Sequence, residues 1–397
     1  MAVIRMIHIN HIRNRMPSPP ILLIAVMLLL VSCLHSNYEN VRITKNADGV
    51  IFHPDQNAPR EPMPFNASAL LAHSGGRWGV LYYIPYRETG LGAINRTITT
   101  CALYLAVIGE DLAPLTEKPS LVHSEEGNYT IDFSGSDDSF CVSYVTRDNR
   151  LECLVYDPSS PEKASRKYSI NNAGAVTLAG ASYSSMPLAY YREEVYALAV
   201  KGDLRCIKVL GNGSIVELPA FRNSGKNPVI NSADILVDDA GIHAGWAETE
   251  SGKGGGTSFY YTSCDHAAEK CVTKKIPVKG DSPHSLNVAL EKMNTRVVMM
   301  IQHGNDTWMV KYPDVPSKSM KVEKLVAVGT GSYPPVAECA CSDEDCLVIF
   351  HKVDGAYIYS SKSGLKRSSS PGYIKRAKCR GAKCIQFNSE KGIVPLK

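Results

Sequence analysis

Residues 228–265 read PVINSADILVDDAGIHAGWAETESGKGGGTSFYYTSCD, and their reading decides the fold. Ile235, Leu236 and Val237 form a short apolar run, and Asp238-Asp239-Ala240-Gly241 is a turn. Residues 242–246 (IHAGW) are a second run, residues 249–257 a glycine-rich loop, and residues 259–262 (FYYT) a third run. Short runs rich in β-branched and aromatic residues, separated by turn formers, read as an antiparallel meander.

The same order recurs on both sides of this stretch. Apolar runs at 78–84, 140–145, 195–200, 296–302 and 346–351 each follow a shorter run and a turn, and each leads through a second turn into a third run. Together with 242–246 these middle strands centre near residues 81, 143, 197, 244, 299 and 348. The interval is close to the ~40–50 residues of a propeller blade. Each unit has room for a fourth strand, such as 214–218 or 322–328. The sequence therefore predicts an all-β fold, a six-bladed β-propeller of four-stranded antiparallel blades over residues 65–397. A pair of β-sandwiches is the competing all-β arrangement. The tail, residues 372–397, is expected to close the ring with the segment around 41–53, because an open ring leaves strand edges exposed. Residues 35–64 read as a stalk holding that closing strand.

The N-terminus gives an address. Residues 21–31 (ILLIAVMLLLV) form an unbroken apolar run behind Arg5, Arg13 and Arg15, with no acidic residue before it. This is the layout of a signal peptide, and it is shorter than the ~20 residues of a membrane span. Residues 1–34 are read as a signal peptide, with an uncleaved signal anchor as the alternative. Both readings place the remainder outside the cell or on its surface, and membrane contact is confined to this segment. Without the three leading arginines the formal charge of +4 falls close to neutral. A nucleic-acid partner, which needs a basic footprint, is not expected.

The chain has 12 cysteines, several at hairpin spacing. Cys141 with Cys153, Cys264 with Cys271, and Cys379 with Cys384 are candidate disulfides, and Cys346 is left to choose between Cys341 and Cys339. Disulfides fit an exported protein better than zinc, since no C-x2-C pair is present. The sequons at Asn66, Asn95, Asn128, Asn212 and Asn305 mark candidate glycosylation sites.

The pattern Ile235-Leu236-Val237-Asp238, His243-Ala244-Gly245-Trp246 and Tyr260-Tyr261 resembles the sialidase-type six-bladed propellers. That resemblance implies an arginine cluster that binds a substrate carboxylate, with Arg87, Arg147 and Arg192 as the candidate binding residues. The motifs that would carry catalysis are missing. Tyr83-Ile84-Pro85-Tyr86-Arg87 replaces an Arg-Ile-Pro motif, and Lys253 occupies the aspartate position of the one Asp-box-like run. No esterase elbow, zinc-protease or phosphate-loop motif occurs. Turns after the first strand of most units carry acids (Asp137-Asp138, Glu193-Glu194, Asp238-Asp239, Glu291, Asp343-Glu344-Asp345). Turns after the second strand lean basic (Arg87, Arg147, Arg150, Lys201, Lys253, His303, Lys352). A meander places these two sets at opposite ends, which predicts an acidic and a basic face. No cofactor or metal is called for, with room only for a divalent cation at the acidic face. The expected function is a non-catalytic recognition module for a glycan or an extracellular protein; the alternative is a divergent sialidase-like glycoside hydrolase.

Overall fold

The computed structural model describes residues 42–45, 50–53, 61–62, 68–88, 98–116, 118–126, 131–146, 148, 150–171, 177–178, 187–201, 203–222, 229–249, 256–278, 286–294, 296–303, 306–311, 321–327, 338–352, 355–368, 374–388 and 392–396. The apolar run at 21–31 lies outside them. The strands form seven antiparallel sheets, which are the seven blades of a propeller. In each blade, strands a to d run outward from the central channel.

Blade 1 is Ser68–Ser74, Arg77–Glu88, Ile98–Gly109 and Ser120–Glu126. Blade 2 is Ile131–Gly135, Phe140–Val145, Arg150–Tyr156 and Arg166–Asn171. Blade 3 is Leu188–Tyr191, Glu194–Lys201, Asp203–Val209 and Ile215–Arg222. Blade 4 is Val229–Asp238, Gly241–Thr249, Thr257–Cys264 and Cys271–Ile276. Blade 5 is Leu286–Met293, Arg296–His303, Asp306–Lys311 and Lys321–Ala327. Blade 6 is Glu338–Cys341, Cys346–Lys352, Gly355–Ser360 and Gly364–Arg367. Two short strands, Glu61–Pro62 and Thr177–Leu178, extend the inner edges of blades 1 and 3 along their b strands.

Blade 7 corrects the expected count of six. Its strands a to c are Ile374–Arg380, Lys383–Asn388 and Gly392–Pro395, and its d strand is Val50–His53, paired at Val50↔Ile393. Arg42–Lys45 adds a fifth, outermost strand. The tail is thus a whole blade, completed by strands from the other end of the chain. No contiguous stretch of sequence contains it, so it shows no repeat of its own.

The residue pattern explains the layering. Strands b and c are covered on both faces by neighbouring blades, so they read as nearly continuous apolar runs. Arg296–His303 is buried at every position after Arg296, and Gly241–Thr249 through Ala247. The d strands face solvent and turn polar; in Gly364–Arg367 three of four residues are exposed. Seven hydrophobic clusters fill the seven spaces between adjacent blades. Between blades 7 and 1, Val50, Ile385, Phe387 and Ile393 pack with Trp78, Tyr82 and Tyr104. Between blades 3 and 4, Trp246 is fully buried beside Leu198, Leu204 and Phe221. Burial of large side chains of this kind contributes roughly 1.5–3 kcal/mol each. The inner strands also touch in sequence around the ring, from Ser68–Ser74 through Ile374–Arg380 and back.

Antiparallel order places every a–b and c–d turn on one face, called here the turn face, and every b–c turn on the other. Contacts between blades confirm this alignment. Lys383, after the a–b turn of blade 7, bonds Glu110 in the c–d turn of blade 1 at 2.5 Å. Arg166, which follows the c–d turn of blade 2, meets Glu193 in the a–b turn of blade 3 at 2.5 Å.

Three disulfides join Cys264 with Cys271, Cys341 with Cys346, and Cys379 with Cys384. In each the two cysteines are direct cross-strand partners flanking a turn on the turn face. Cys346 therefore takes Cys341. Cys141 and Cys153 are not bonded, contrary to the spacing argument: Cys153 stands opposite Ser143 and Cys141 opposite Val155. The pair is diagonal across the sheet, and the Ser143 hydroxyl sits between the two thiols at 3.6 and 3.4 Å.

Candidate functional site

The inner strands enclose a central channel of about 1320 Å³ that opens among the a–b turns. Alternation along each inner strand separates apolar residues, which pack between blades, from residues of the channel wall. In blade 7 this gives Arg376, Lys378 and Arg380 at every second position, all in the wall. Lys383 belongs to the same hairpin, and among the described residues the only other Lys or Arg in the wall is Lys292 of blade 5. The carboxylates come from the other blades: Glu110, Asp132, Asp137, Asp234, Asp238, Asp239, Glu291 and Asp343. The channel is therefore bipolar, with a cationic side at blade 7.

Ion pairs cross it. Lys378 Nζ lies 2.9 Å from Glu291 Oε1, so blade 7 reaches blade 5 across the channel. Arg380 is 3.8 Å from Asp137 of blade 2, with both groups well exposed. At the blade 4–5 rim, Lys292 Nζ is 2.7 Å from Asp238, and His243 Nε2 is 3.5 Å from the same carboxylate. Burial alone pushes the Asp238 carboxyl upward, but His243 and Lys292 outweigh it and hold the group below the usual carboxylate range. His243 Nδ1 in turn contacts the buried Tyr261 hydroxyl at 2.7 Å.

Asp132 and Asp234 lie deeper. Burial pushes both carboxyls up to about 7, and Asp132 raises Asp234 further by like charge. Asp234 serves the structure. Its Oδ2 accepts the Leu290 N–H of the neighbouring inner strand at 2.6 Å, and its Oδ1 the Ile235 N–H at 2.8 Å. Ser232 Oγ similarly accepts the Val288 N–H at 3.0 Å. The bonds to Leu290 and Val288 satisfy amides on the inner edge of blade 5, which has no ladder partner on that side.

The predicted arginines do not gather here. Arg192 sits in the a–b turn of blade 3 with φ 46, its guanidinium 2.7 Å from Asp239 and 5.0 Å above the Tyr191 ring. The Tyr191 hydroxyl also donates to Asp239. Arg87 lies at the far end of its strand, paired in register with Thr99 next to the b–c loop, on the opposite face. Arg147 lies outside the described residues. Arg87 and Arg192 therefore cannot share one carboxylate, which removes the geometric basis for a sialidase-type site. Of the sequons, Asn212 is an exposed residue of the blade 3 c–d turn, its side chain accepting from Ser214 N at 2.9 Å. Asn66, Asn95, Asn128 and Asn305 lie outside the described residues.

Among the described residues the acidic turns lie on the turn face and Arg150, Lys201 and Lys352 toward the opposite end, yet the turn face is not uniformly acidic. Arg166, Arg192, Lys362 and Arg380 each face one of its carboxylates. Glu291 belongs to a strand of the channel wall, and His303 is buried. Among the described residues no group of three or more His, Cys, Asp or Glu side chains is placed to hold a metal ion. Sequence reasoning misses the channel carboxyls Asp132 and Asp234. Their signal is a lone aspartate inside an apolar run, in Ile131-Asp132-Phe133 and Ala233-Asp234-Ile235.

No family model and no curated protein sequence matches the chain. Solved structures do match in fold. The β-propeller domain of Myceliophteria thermophila Cps50 (Swd1) is 10% identical, with a TM-score of 0.50 over 85% of this chain and 98% of that one. The WD40 domain of Toxoplasma gondii coronin is 11% identical over 90% of this chain and 83% of that one, at TM-score 0.42. The Aleuria aurantia lectin AAL is 11% identical over 78% and 97%, at TM-score 0.41. At 10% identity the likeness to the first of these establishes the propeller fold alone.

Proposed function

We propose that this propeller is a secreted or cell-surface recognition module that binds a glycan or protein partner on its turn face, without catalysis. The observation that carries this reading is the construction of that face. All three disulfides fasten hairpins there, two of them at the channel mouth. Ion pairs link turns of successive blades: Arg166 to Glu193, and Arg192 to Asp239. Loops held in this way lose little conformational freedom on binding, which favours affinity. Disulfides persist in oxidising compartments, in keeping with export.

Against hydrolysis, Arg87 and Arg192 occupy opposite faces. The test pairs a screen of glycans and extracellular domains with a fluorogenic sialoside assay on the purified protein. Saturable binding with no turnover is expected. Sialoside turnover abolished by Arg192→Ala would restore the hydrolase reading.

A further inference from the structure

We propose that the outer groove between blades 5 and 6 binds a sulfated or uronic-acid polysaccharide, at a surface separate from the turn face.

Strand register assigns the walls of this groove, because residues directly opposite in an antiparallel ladder share one face of the sheet. Val298 of blade 5 packs with Val348 and Phe350 of blade 6. Lys311 is the partner of Val298, and Lys321 the partner of Lys311, so both lysines stand on the blade 6 side. Glu323, opposite the buried Met309, joins them. From blade 6, Tyr357 and Tyr359 pack against the same cluster, and their partners Arg367 and Leu365 face blade 5 with them. Both tyrosines are half-buried and Leu365 is 49% exposed, so the outer part of the groove is open to solvent.

The first observation that points to a ligand is the charge. Lys311 and Lys321 are direct cross-strand neighbours, and like charges so placed destabilise a ladder. Glu323 lies 3.8 Å from Lys321, and among the described residues no carboxylate pairs with Lys311. Lysine on an outermost strand guards a sheet against edge pairing, which accounts for Lys321. It does not account for Lys311, which lies on strand c inside the sheet. On the facing sides of the c and d strands, the described residues set Lys311, Lys321 and Arg367 against the single carboxylate of Glu323. An anion between the lysines would relieve their repulsion.

The second observation is the aromatic floor. Tyr357 stacks on the fully buried Phe350, with ring centroids 5.7 Å apart and planes 10° from parallel. A ring held in this way offers flat apolar surface with little conformational freedom left to lose, which suits the C–H face of a sugar ring. The two kinds of group are also ordered along the groove. Lys311 ends strand c and Lys321 begins strand d, next to the turn face. Arg367 ends strand d at the other end, where a Cβ added to Gly355 would lie 3.4 Å from its Nε. The tyrosines lie between these cationic ends. A linear chain of sugar rings carrying anionic groups matches that order. An acidic peptide would use the lysines and leave the rings idle, and a nearly neutral chain does not suit nucleic acid.

The experiment is biolayer interferometry of the purified protein on an immobilised heparin dodecasaccharide, at about 0.05 M and about 0.5 M NaCl. Saturable binding at the lower salt, largely lost at the higher, is expected. Lys311→Glu and Lys321→Glu should each weaken it about three- to tenfold, and Tyr359→Ala several-fold. Lys311→Gln should weaken binding without lowering Tm, since it relieves the like-charge pair; this separates lost binding from lost folding. Lys275 is exposed on the outermost strand of blade 4 and, opposite Tyr260, faces blade 3, so Lys275→Glu should leave binding unchanged. An equal loss with Lys275→Glu would mean diffuse surface charge and overturn the groove, as would no binding to heparin. Polyglutamate competing as well as heparin, with no effect of Tyr359→Ala, would overturn the polysaccharide assignment. Heparin binding lost with Arg192→Ala and kept with Lys311→Glu would move the glycan to the turn face and overturn the groove while upholding recognition there. A screened partner that binds the turn face and ignores Lys311→Glu leaves the turn-face reading standing whatever heparin shows.

Discussion

Gly392 is the residue at which ring closure is most directly exposed to a single substitution. It begins strand c of blade 7 with φ 74, and an added Cβ would lie 2.1 Å from Val50 O and 3.0 Å from Val50 C. Val50 is fully buried and belongs to the d strand that the N-terminal part of the chain contributes. Gly392→Ala therefore carries two costs. The left-handed backbone costs about 1–2 kcal/mol for a residue with a side chain. The clash is with backbone, so the Val50 strand must move away. That movement weakens the Val50↔Ile393 pairing, at about 1 kcal/mol per hydrogen bond, and loosens the apolar cluster around Phe387. The sum is about 3–5 kcal/mol. Gly213→Ala is the matched control: its φ is 81, and nothing lies within 4 Å of the added Cβ. That substitution carries the backbone cost alone, about 1–2 kcal/mol. For a chain of this size each kcal/mol shifts Tm by roughly 1–2 °C. Differential scanning calorimetry should show Gly392→Ala lowering Tm by about 4–8 °C and Gly213→Ala by about 1–3 °C. Equal shifts would refute the closure of blade 7 by the N-terminal strand.

Three further predictions concern the interior. Asp132→Asn removes a carboxyl whose folded value is about 7 against ~4 unfolded, so wild-type stability falls as pH rises from 4 to 7. The substitution should raise Tm at pH 8, by ~1–4 kcal/mol of stability, and the gain should fade by pH 5; a thermal melt series across pH checks the sign. Glu152 is 1% exposed and meets Arg150 at 2.8 Å, Lys167 at 3.1 Å and Ser169 Oγ at 2.6 Å. Because both cations are 40% exposed or more, Glu152→Ala is expected to cost only about 1–2 kcal/mol by denaturant titration. Alkylation in denaturant without reductant, read by peptide mass spectrometry, should label Cys141, Cys153 and Cys206 and spare the six bonded cysteines.

The six middle strands placed from the sequence are all b strands, because burial on both faces gives them nearly continuous apolar runs. Blade 7 eludes that count for a physical reason. Its d strand comes from residues 50–53, and its b strand Lys383–Asn388 (KCIQFN) is broken by Gln386 rather than continuously apolar, so no full local unit is present there. Spacing finds the Cys264 and Cys379 partners, which are true cross-strand pairs, but misplaces Cys141. The strands on each side of a turn fix a register that spacing alone does not reveal, and in blade 2 that register sets Ser143 opposite Cys153. Arg192 reads as a turn arginine, and its turn is real; its commitment to Asp239 of the next blade is a tertiary contact with no local signal. Asp132 and Asp234 are visible as carboxylates within apolar runs, but only the ring shows that both face one channel.

Recognition through the turn face can be tested by blocking each face in turn. Ala240 is exposed in the a–b turn of blade 4, and Asp148 is exposed in the b–c turn of blade 2 on the opposite face. Each is replaced by cysteine and coupled to a polyethylene glycol chain, and binding to the partner recovered from the screen is measured by surface plasmon resonance. Loss of binding with the block at Ala240 and retention with the block at Asp148 is the predicted result. Retention at Ala240 with loss at Asp148 would place recognition on the other face and contradict the account.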